Sequence, residues 1–308
     1  MHFVNDRPDA RAKGYPLLAT LRAFSEAIKL SHTVFALPFA LLASFLALRG
    51  SIFDLKKLFW IVFAMGGART WAMAVNRVAD ASFDAENPRT AARAVASGKI
   101  SKKHMMVFGL CGAVVFILSA AALSDVALWC ALPVLLILAS YSYTKRFTFL
   151  CHFWLGFCLG LAPLGAWVAI RDTLRWELFL LSGGITCWVG GFDIIYSTQD
   201  ADFDRKRGLQ SLPSRFGISL SLKLAAASHL IAALFFAFFG VVFDLGVFYF
   251  AGLCAAVALM IQQHRLVRKA TPEKIDFAFF NLNGWIAVLL FLATALSLWL
   301  EPVLRNQL

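Results

Sequence analysis

Long apolar runs alternate with short polar connections along this chain, and nine of the runs are of membrane-crossing length, about 17 to 25 residues. They cover roughly 24 to 48, 58 to 79, 105 to 123, 125 to 142, 148 to 170, 177 to 198, 219 to 243, 245 to 262 and 276 to 299. Ser124 and Asp125 are the only break between the third and fourth runs. Their combined length is too great for one crossing, so a tight turn is expected there. The pattern predicts an all-α, polytopic membrane protein of nine transmembrane helices. It forms a single domain over 1–308, of which 1–20 is a cytoplasmic N-terminal segment.

Composition agrees with that reading. With 60% hydrophobic and 15% charged residues, the chain has more apolar side chain than one soluble core could hide. The six Cys form no C-x-x-C pair and fall almost entirely inside apolar stretches, where they read as small hydrophobes. Arg7, Arg11 and Lys13 stand among acids and prolines with no apolar core before a cleavage site, so no cleavable leader is expected.

Charge then orients the helices. With the N-terminus inside, the connections after runs two, four, six and eight carry Arg89, Arg93, Lys99, Lys102, Lys103, Lys145, Arg146, Arg205, Lys206, Arg207, Arg215, Arg265, Arg268, Lys269 and Lys274, fifteen cations. The other side has six: Arg49, Lys56, Lys57, Arg171, Arg175 and Arg305. The excess marks the cytoplasmic face of the cell's inner membrane, which gives a cytoplasmic N-terminus and an outside C-terminus. The net charge of +11 is thus a matter of topology and anionic lipid, and no nucleic-acid partner is expected.

Two acidic clusters stand at cytoplasmic ends of apolar runs. Asn76, Asp80 and Asp84 are four apart, one helical turn each, and so share a face. Pro88 ends that helix near Asn87 and delivers Arg89 and Arg93 into the loop. In the second cluster Asp193, Asp200 and Asp204 fall at offsets 0, 7 and 11, again one face, with Tyr196 between them and Asp202 pointing elsewhere. An ionised group at a helix centre in hydrocarbon costs about 2.5–3.5 kcal/mol, so such groups face a cavity, a partner or a metal. Neighbouring carboxylates repel, and a hard divalent cation such as Mg²⁺ that takes one oxygen from each removes the penalty. Carboxylates with convergent Arg and Lys indicate a metal-bridged polyanion, and the apolar spans around them accept a hydrocarbon tail. A lipid-soluble diphosphate meets all three conditions. Ordinary loop charges at helix ends would explain the cations but not two carboxylate faces at helical spacing. Arg69, seven residues before Asn76, lies on nearly the same face two turns deeper and is expected to face the cavity or an acid.

The motifs Asn76-Arg77-x2-Asp80-x3-Asp84-x2-Asn87-x-Arg89-Thr90-x2-Arg93, Tyr143-x-Lys145-Arg146 and Asp193-x6-Asp200-x3-Asp204 resemble the intramembrane aromatic prenyltransferases of the 4-hydroxybenzoate polyprenyltransferase (UbiA) superfamily. The resemblance spans essentially the whole chain. It implies nine helices around a central cavity open to lipid, under a cytoplasmic polar cap. Asp80, Asp84, Asp200 and Asp204 would be Mg²⁺ ligands and catalytic residues, with Asp193 earlier on the same face and Asn76 as the leading amide. Arg89, Arg93, Tyr143, Lys145, Arg146 and Tyr196 would contact the diphosphate or order the cap. Arg77 departs from the pattern, because many members have Asp there, and Val95-Ala96 stands where Leu-Pro often precedes Gly98. Residues 28 to 39 resemble the opening of 4-hydroxybenzoate-type members, including relatives proposed for a menaquinone route, and place Lys29 and His32 at the substrate end of the first span. A carboxylated acceptor would want a cation, and Lys29 or Arg22 can supply it. The expected reaction is Mg²⁺-dependent transfer of a polyprenyl group from its diphosphate to an aromatic acceptor, 4-hydroxybenzoate, in quinone biosynthesis. The alternatives are another acceptor such as a naphthoate, a membrane terpene cyclase, and a transporter.

Overall fold

The computed structural model describes residues 35–49, 54–267 and 272–305. Arg22, Lys29 and His32 lie outside the described residues. Helix α1 is Leu37–Ala47, α2 Leu55–Ala79, α3 Ala81–Glu86, α4 Lys102–Leu123, α5 Asp125–Thr144, α6 Cys151–Arg171 and α7 Leu178–Ser197. They are followed by α8 Ala201–Arg207, α9 Leu212–Phe216, α10 Ile218–Val242, α11 Val247–Val267, α12 Pro272–Phe277 and α13 Asn283–Arg305. Among the described residues there is no strand, and eight segments are long and apolar enough to cross a membrane. Helix α1 is the described part of the first of the nine predicted spans, and the other eight match predicted runs to within a few residues.

Polar residues at the helix starts set these boundaries. Asp54, Ser101 and Ser124 each accept a hydrogen bond from the backbone N–H three residues on, satisfying a donor that has no partner within its helix. Ser124 is fully extended, with φ −167° and ψ 158°, and so makes the tight turn that separates α4 from α5. Gly156 and Gly160 let α6 meet α7 closely. A Cβ at Gly156 would stand 2.2 Å from the Thr186 carbonyl oxygen, and one at Gly160 would stand 2.7 Å from Ser182 Oγ.

Helix α7 packs against α6 and α10, α6 against α1 and α5, α11 against α13, and α13 returns to α1. Helix α2 packs against α4 and α5 on the flank. The core is aromatic: Phe39 stacks on Phe236 and meets Trp188, which meets Phe192. Large side chains such as Leu118, Leu136 and Phe238 point outward, as a lipid-facing surface requires. A π-helical turn, Ala278–Leu282, interrupts the last span, and Gln263 and Asn283 donate to its Ala278 and Phe279 carbonyls. Asn283 also accepts from the Trp188 indole at 3.1 Å, the interhelical role its position in an apolar span implies.

Both acidic segments emerge at the same end of the bundle, where Arg207 of α8 pairs with Glu86 of α3. At the other end Lys57 reaches the Ile170 carbonyl, and Arg49 reaches that of Phe243.

Candidate active site

The first acidic segment is not one straight helix. The helix breaks at Asp80, the last cap of α2, whose backbone sits at φ −92°, ψ 1°, and α3 restarts one residue later. The i to i+4 bonds nevertheless continue through the break, Asp80 N–H to Asn76 O at 2.9 Å and Asp84 N–H to Asp80 O at 2.8 Å. Asn76, Asp80 and Asp84 therefore stay together. Asn87, just before Pro88, is extended at ψ 116° and ends α3. The second segment bends too: α7 stops at Ser197, a 3₁₀ turn holds Thr198–Asp200, and α8 carries Asp204. Asp202 points away, its side chain 88% exposed and paired with Arg205.

The two segments face each other across a cavity of about 230 Å³. Asn76, Asp80, Asp84, Arg89, Arg93, Lys145, Arg146, Asp193, Tyr196, Asp200 and Asp204 all line it. Each of four carboxylates has its own cation. Arg93 Nη1 lies 2.7 Å from Asp84 Oδ1, Lys145 Nζ 2.8 Å from Asp204 Oδ1 and Arg146 Nη2 3.8 Å from Asp80 Oδ1. Arg89 grips both oxygens of Asp200 and also donates to Tyr196 Oη at 2.8 Å. Asn87 Nδ2 donates to Asp200 Oδ1 at 2.8 Å, and Ser211 Oγ to Asp204 Oδ2 at 2.9 Å. Repulsion among the acids, which the spacing alone left to a metal, is thus answered by basic side chains from the loops.

The balance is uneven. Burial, and then the neighbouring Asp84 carboxylate, push the Asp80 carboxyl up to about 6. Asp80 has the most distant cation and Asn76 Nδ2 as a donor at 2.7 Å. Burial works to lower the Lys145 ammonium, but the adjacent Asp204 carboxylate outweighs it and holds it above its usual value.

Among the described residues no three His, Cys, Asp or Glu side chains form a ready-made metal cage. Mg²⁺ does not need one, since it binds through one or two carboxylates plus substrate phosphates and keeps to oxygen donors. The carboxylates here fit that requirement, and Asp80 is the one least neutralised by the protein.

Two expected residues lie elsewhere. Tyr143 is 40% exposed and does not line the cavity; its ring lies 4.9 Å under the Arg146 guanidinium, so it supports that cation. Tyr141, two residues earlier, lines the cavity instead. Arg69 is not on the cavity wall but sits near Tyr141. His152, which sequence reasoning missed, is 2% exposed with Nδ1 2.6 Å from Asp193 Oδ2. The available signal was a histidine just inside an apolar run that follows Lys145-Arg146.

Comparison with known proteins agrees with this geometry. Residues 36–285 match the UbiA prenyltransferase family. The chain belongs to that family. It is a multi-pass membrane enzyme that transfers prenyl groups. It is 31% identical over 226 residues to a 4-hydroxybenzoate octaprenyltransferase of Chromohalobacter salexigens, covering 73% of this chain and 75% of the relative. The structure of a UbiA homolog from Aeropyrum pernix K1 superimposes with a TM-score of 0.78 at 29% identity, over 90% of this chain and 98% of that one. A UbiA homolog from Archaeoglobus fulgidus, bound to GPP and Mg²⁺, shares the fold with a TM-score of 0.64 at 15% identity, over 89% and 99%. The cavity has its polar wall built from both acidic segments and the α5–α6 loop. That loop is tied to the second segment through Gln210 N–H to the Lys145 carbonyl at 2.7 Å.

Proposed function

We propose that this prenyltransferase binds a polyprenyl diphosphate with Mg²⁺ at the cavity and transfers the prenyl group to 4-hydroxybenzoate. The observation that carries the reading is the set of four carboxylate–cation pairs around one cavity. Such a set can exchange partners. Asp80, Asp84, Asp200 and Asp204 would hold Mg²⁺ and Arg89, Arg93, Lys145 and Arg146 would hold the diphosphate oxygens, so that the buried charges of both signs would keep partners. Bidentate arginine suits phosphate, and Arg89 already holds a carboxylate that way. When bound, Mg²⁺ neutralises the charge that builds on the diphosphate as its C–O bond breaks. The basic side chains hold the leaving group in place, and the apolar walls exclude the water that would quench the allylic cation. Phe83, Leu155 and Phe203 begin that apolar surface.

The acceptor ring attacks C1 and loses a proton to regain aromaticity. The relatives named as 4-hydroxybenzoate octaprenyltransferases support this acceptor, as does the character of residues 28 to 39. By sequence alone, Arg22 and Lys29 are the candidate cations for its carboxylate, since Arg69 stands off the cavity wall. Replacing that carboxylate by an amide removes a charge-assisted bond of about 1.5–3 kcal/mol, which is at least about tenfold in kcat/KM. The test is product mass from geranylgeranyl diphosphate with 4-hydroxybenzoate, its amide, 1,4-dihydroxy-2-naphthoate and homogentisate. Preferential alkylation of 4-hydroxybenzoate is expected. Preference for either of the last two overturns the acceptor, and equal use of the amide overturns the carboxylate–cation contact.

A further inference from the structure

A second cavity, of about 460 Å³, opens at the far end of the bundle. Helix α6 runs from Cys151 on the active-site wall to Arg171 on the wall of this one, 21 residues or about 30 Å of helix, the thickness of a bilayer's hydrocarbon core. The second cavity therefore lies at headgroup level on the opposite face. Trp176 and Trp299, both more than half exposed, mark the same level, where tryptophan is enriched. Cations are scarce at this end of the chain's topology, yet three of the six, Arg49, Arg171 and Arg175, line this one cavity. Like charges gathered on one wall repel unless an anion lies between them. Arg175 is fixed by stacking, its guanidinium carbon 5.2 Å from the Phe243 ring centre and 5.8 Å from that of Trp167. Glu177 accepts from its Nε at 3.2 Å and its Nη2 at 2.5 Å, which leaves Nη1 with no described partner. Arg49 makes one long hydrogen bond, Nη1 to the Phe243 carbonyl at 3.4 Å, and has no described carboxylate within ion-pair reach. Asp244 is the one acid on the wall, set on a left-handed turn at φ 50° and paired with no described cation.

We infer that this cavity binds the phosphate of an anionic membrane phospholipid. Guanidinium forks match phosphate oxygens, and three cations against one acid leave the wall positive. Asp244 accepts from headgroup hydroxyls of the kind a phosphatidylglycerol carries. The hydrocarbon has its own track. Ile231, Leu234, Phe238 and Val241 recur at helical spacing on α10, all exposed, and the stripe ends beside Val242 on the cavity wall. A free phosphate ion would use the arginines but not that stripe, so the lipid is the occupant that satisfies both. A phospholipid seated there touches the ends of α1, α6 and α10 together. It thus stabilises the packing of helices that enclose the aromatic core, at a distance from the prenyl-transfer site.

The test uses the purified full-length enzyme in mixed micelles of detergent and phosphatidylcholine, to which phosphatidylglycerol or inorganic phosphate is added. Native mass spectrometry counts the lipids retained, and the unfolding midpoint is read in parallel. One phosphatidylglycerol should be retained per chain and should raise the midpoint, while phosphatidylcholine is not retained. Inorganic phosphate at the same concentration should neither displace the lipid nor raise the midpoint. Arg49→Gln and Arg171→Gln should each weaken retention at least about fivefold, the worth of one cation at an anionic membrane surface. Arg49→Lys should keep most of it. Lys223→Gln, the same change of charge at the opposite end of α10, should match the wild type. Pyrophosphate release in phosphatidylcholine alone should stay at the wild-type level in Arg49→Gln, which separates lost lipid from a lost fold. Should a glutamine variant fail to fold, the two lipids compared on the wild type and on Arg49→Lys still decide. Equal retention of both lipids, wild-type retention in both glutamine variants, or an equal loss in Lys223→Gln overturns the site. Displacement by inorganic phosphate overturns the lipid as its occupant.

Discussion

At the scale of single residues, the site is held together by pairs whose members come from distant parts of the chain. Arg89 and Asp200 are 111 residues apart, and the Asp200 side chain is only 10% exposed. Removing the arginine leaves a buried carboxylate with Asn87 as its remaining donor. Breaking a fully buried pair costs about 3–5 kcal/mol, and with Arg89 28% exposed we expect about 2 kcal/mol for Arg89→Ala. The double variant Arg89→Ala with Asp200→Asn should be less destabilised than the single, as read by unfolding midpoints in detergent; strict additivity would contradict the pairing. Asp80 gives a pH dependence. Its carboxyl, pushed up to about 6, must lose its proton to bind a cation, so apparent Mg²⁺ affinity should be flat above pH 6 and fall by up to about tenfold per unit below it. The same shift means that the metal-free fold holds this proton more tightly than the unfolded chain. The stability it contributes is full below about pH 4 and lost as pH rises through 6. Titration of Mg²⁺ at pH 5 and 7 checks this, and equal affinity at both would remove Asp80 from the site. The carboxylates were legible because helical spacing is written in the chain. The identity of each cation's partner was not, since Arg89–Asp200 and Lys145–Asp204 depend on how loops from three connections fold over one another.

Among whole elements, α7 is central: it carries Asp193 and Tyr196 and meets α6 through glycines with no spare room. A methyl group at Gly156 would press on backbone, 2.2 Å from the Thr186 carbonyl oxygen, so α6 and α7 would have to separate. Overpacking of this kind costs about 1–3 kcal/mol. Gly156→Ala should lower the unfolding midpoint and the activity together. Gly165→Ala on the same helix, where a Cβ meets nothing within 4 Å, should change neither. Identical behaviour of the two variants would contradict the packing. Helix existence and ends were legible in the apolar runs and in cap residues such as Ser124. The breaks at Asp80 and Thr198–Asp200 were not, because they answer to cross-cavity pairing rather than to local propensity. The π turn at Ala278–Leu282 was equally hidden, for it depends on Gln263 from another helix.

Over the whole molecule, both acidic segments and the α5–α6 loop gather at one end of the bundle, the end that carries most of the positive charge. If that end is cytoplasmic, cysteines placed at exposed Ser97 and Lys206 in a background free of native Cys should resist an impermeant reagent outside intact cells. A cysteine at exposed Thr173 should react. The reverse labelling would invert the topology. The central claim is that this cavity ionises a prenyl diphosphate with Mg²⁺ and passes the prenyl group to a phenol. Its most direct test is one reaction of the purified enzyme in lipid with geranylgeranyl diphosphate and 4-hydroxybenzoate, followed for pyrophosphate and product mass together. The account predicts equal amounts of pyrophosphate and C-prenylated product. Both should be lost on chelation and restored by Mg²⁺, and both should fall at least about a hundredfold in Asp80→Asn and Asp200→Asn. Undiminished turnover after exhaustive chelation, or in both variants, would contradict it.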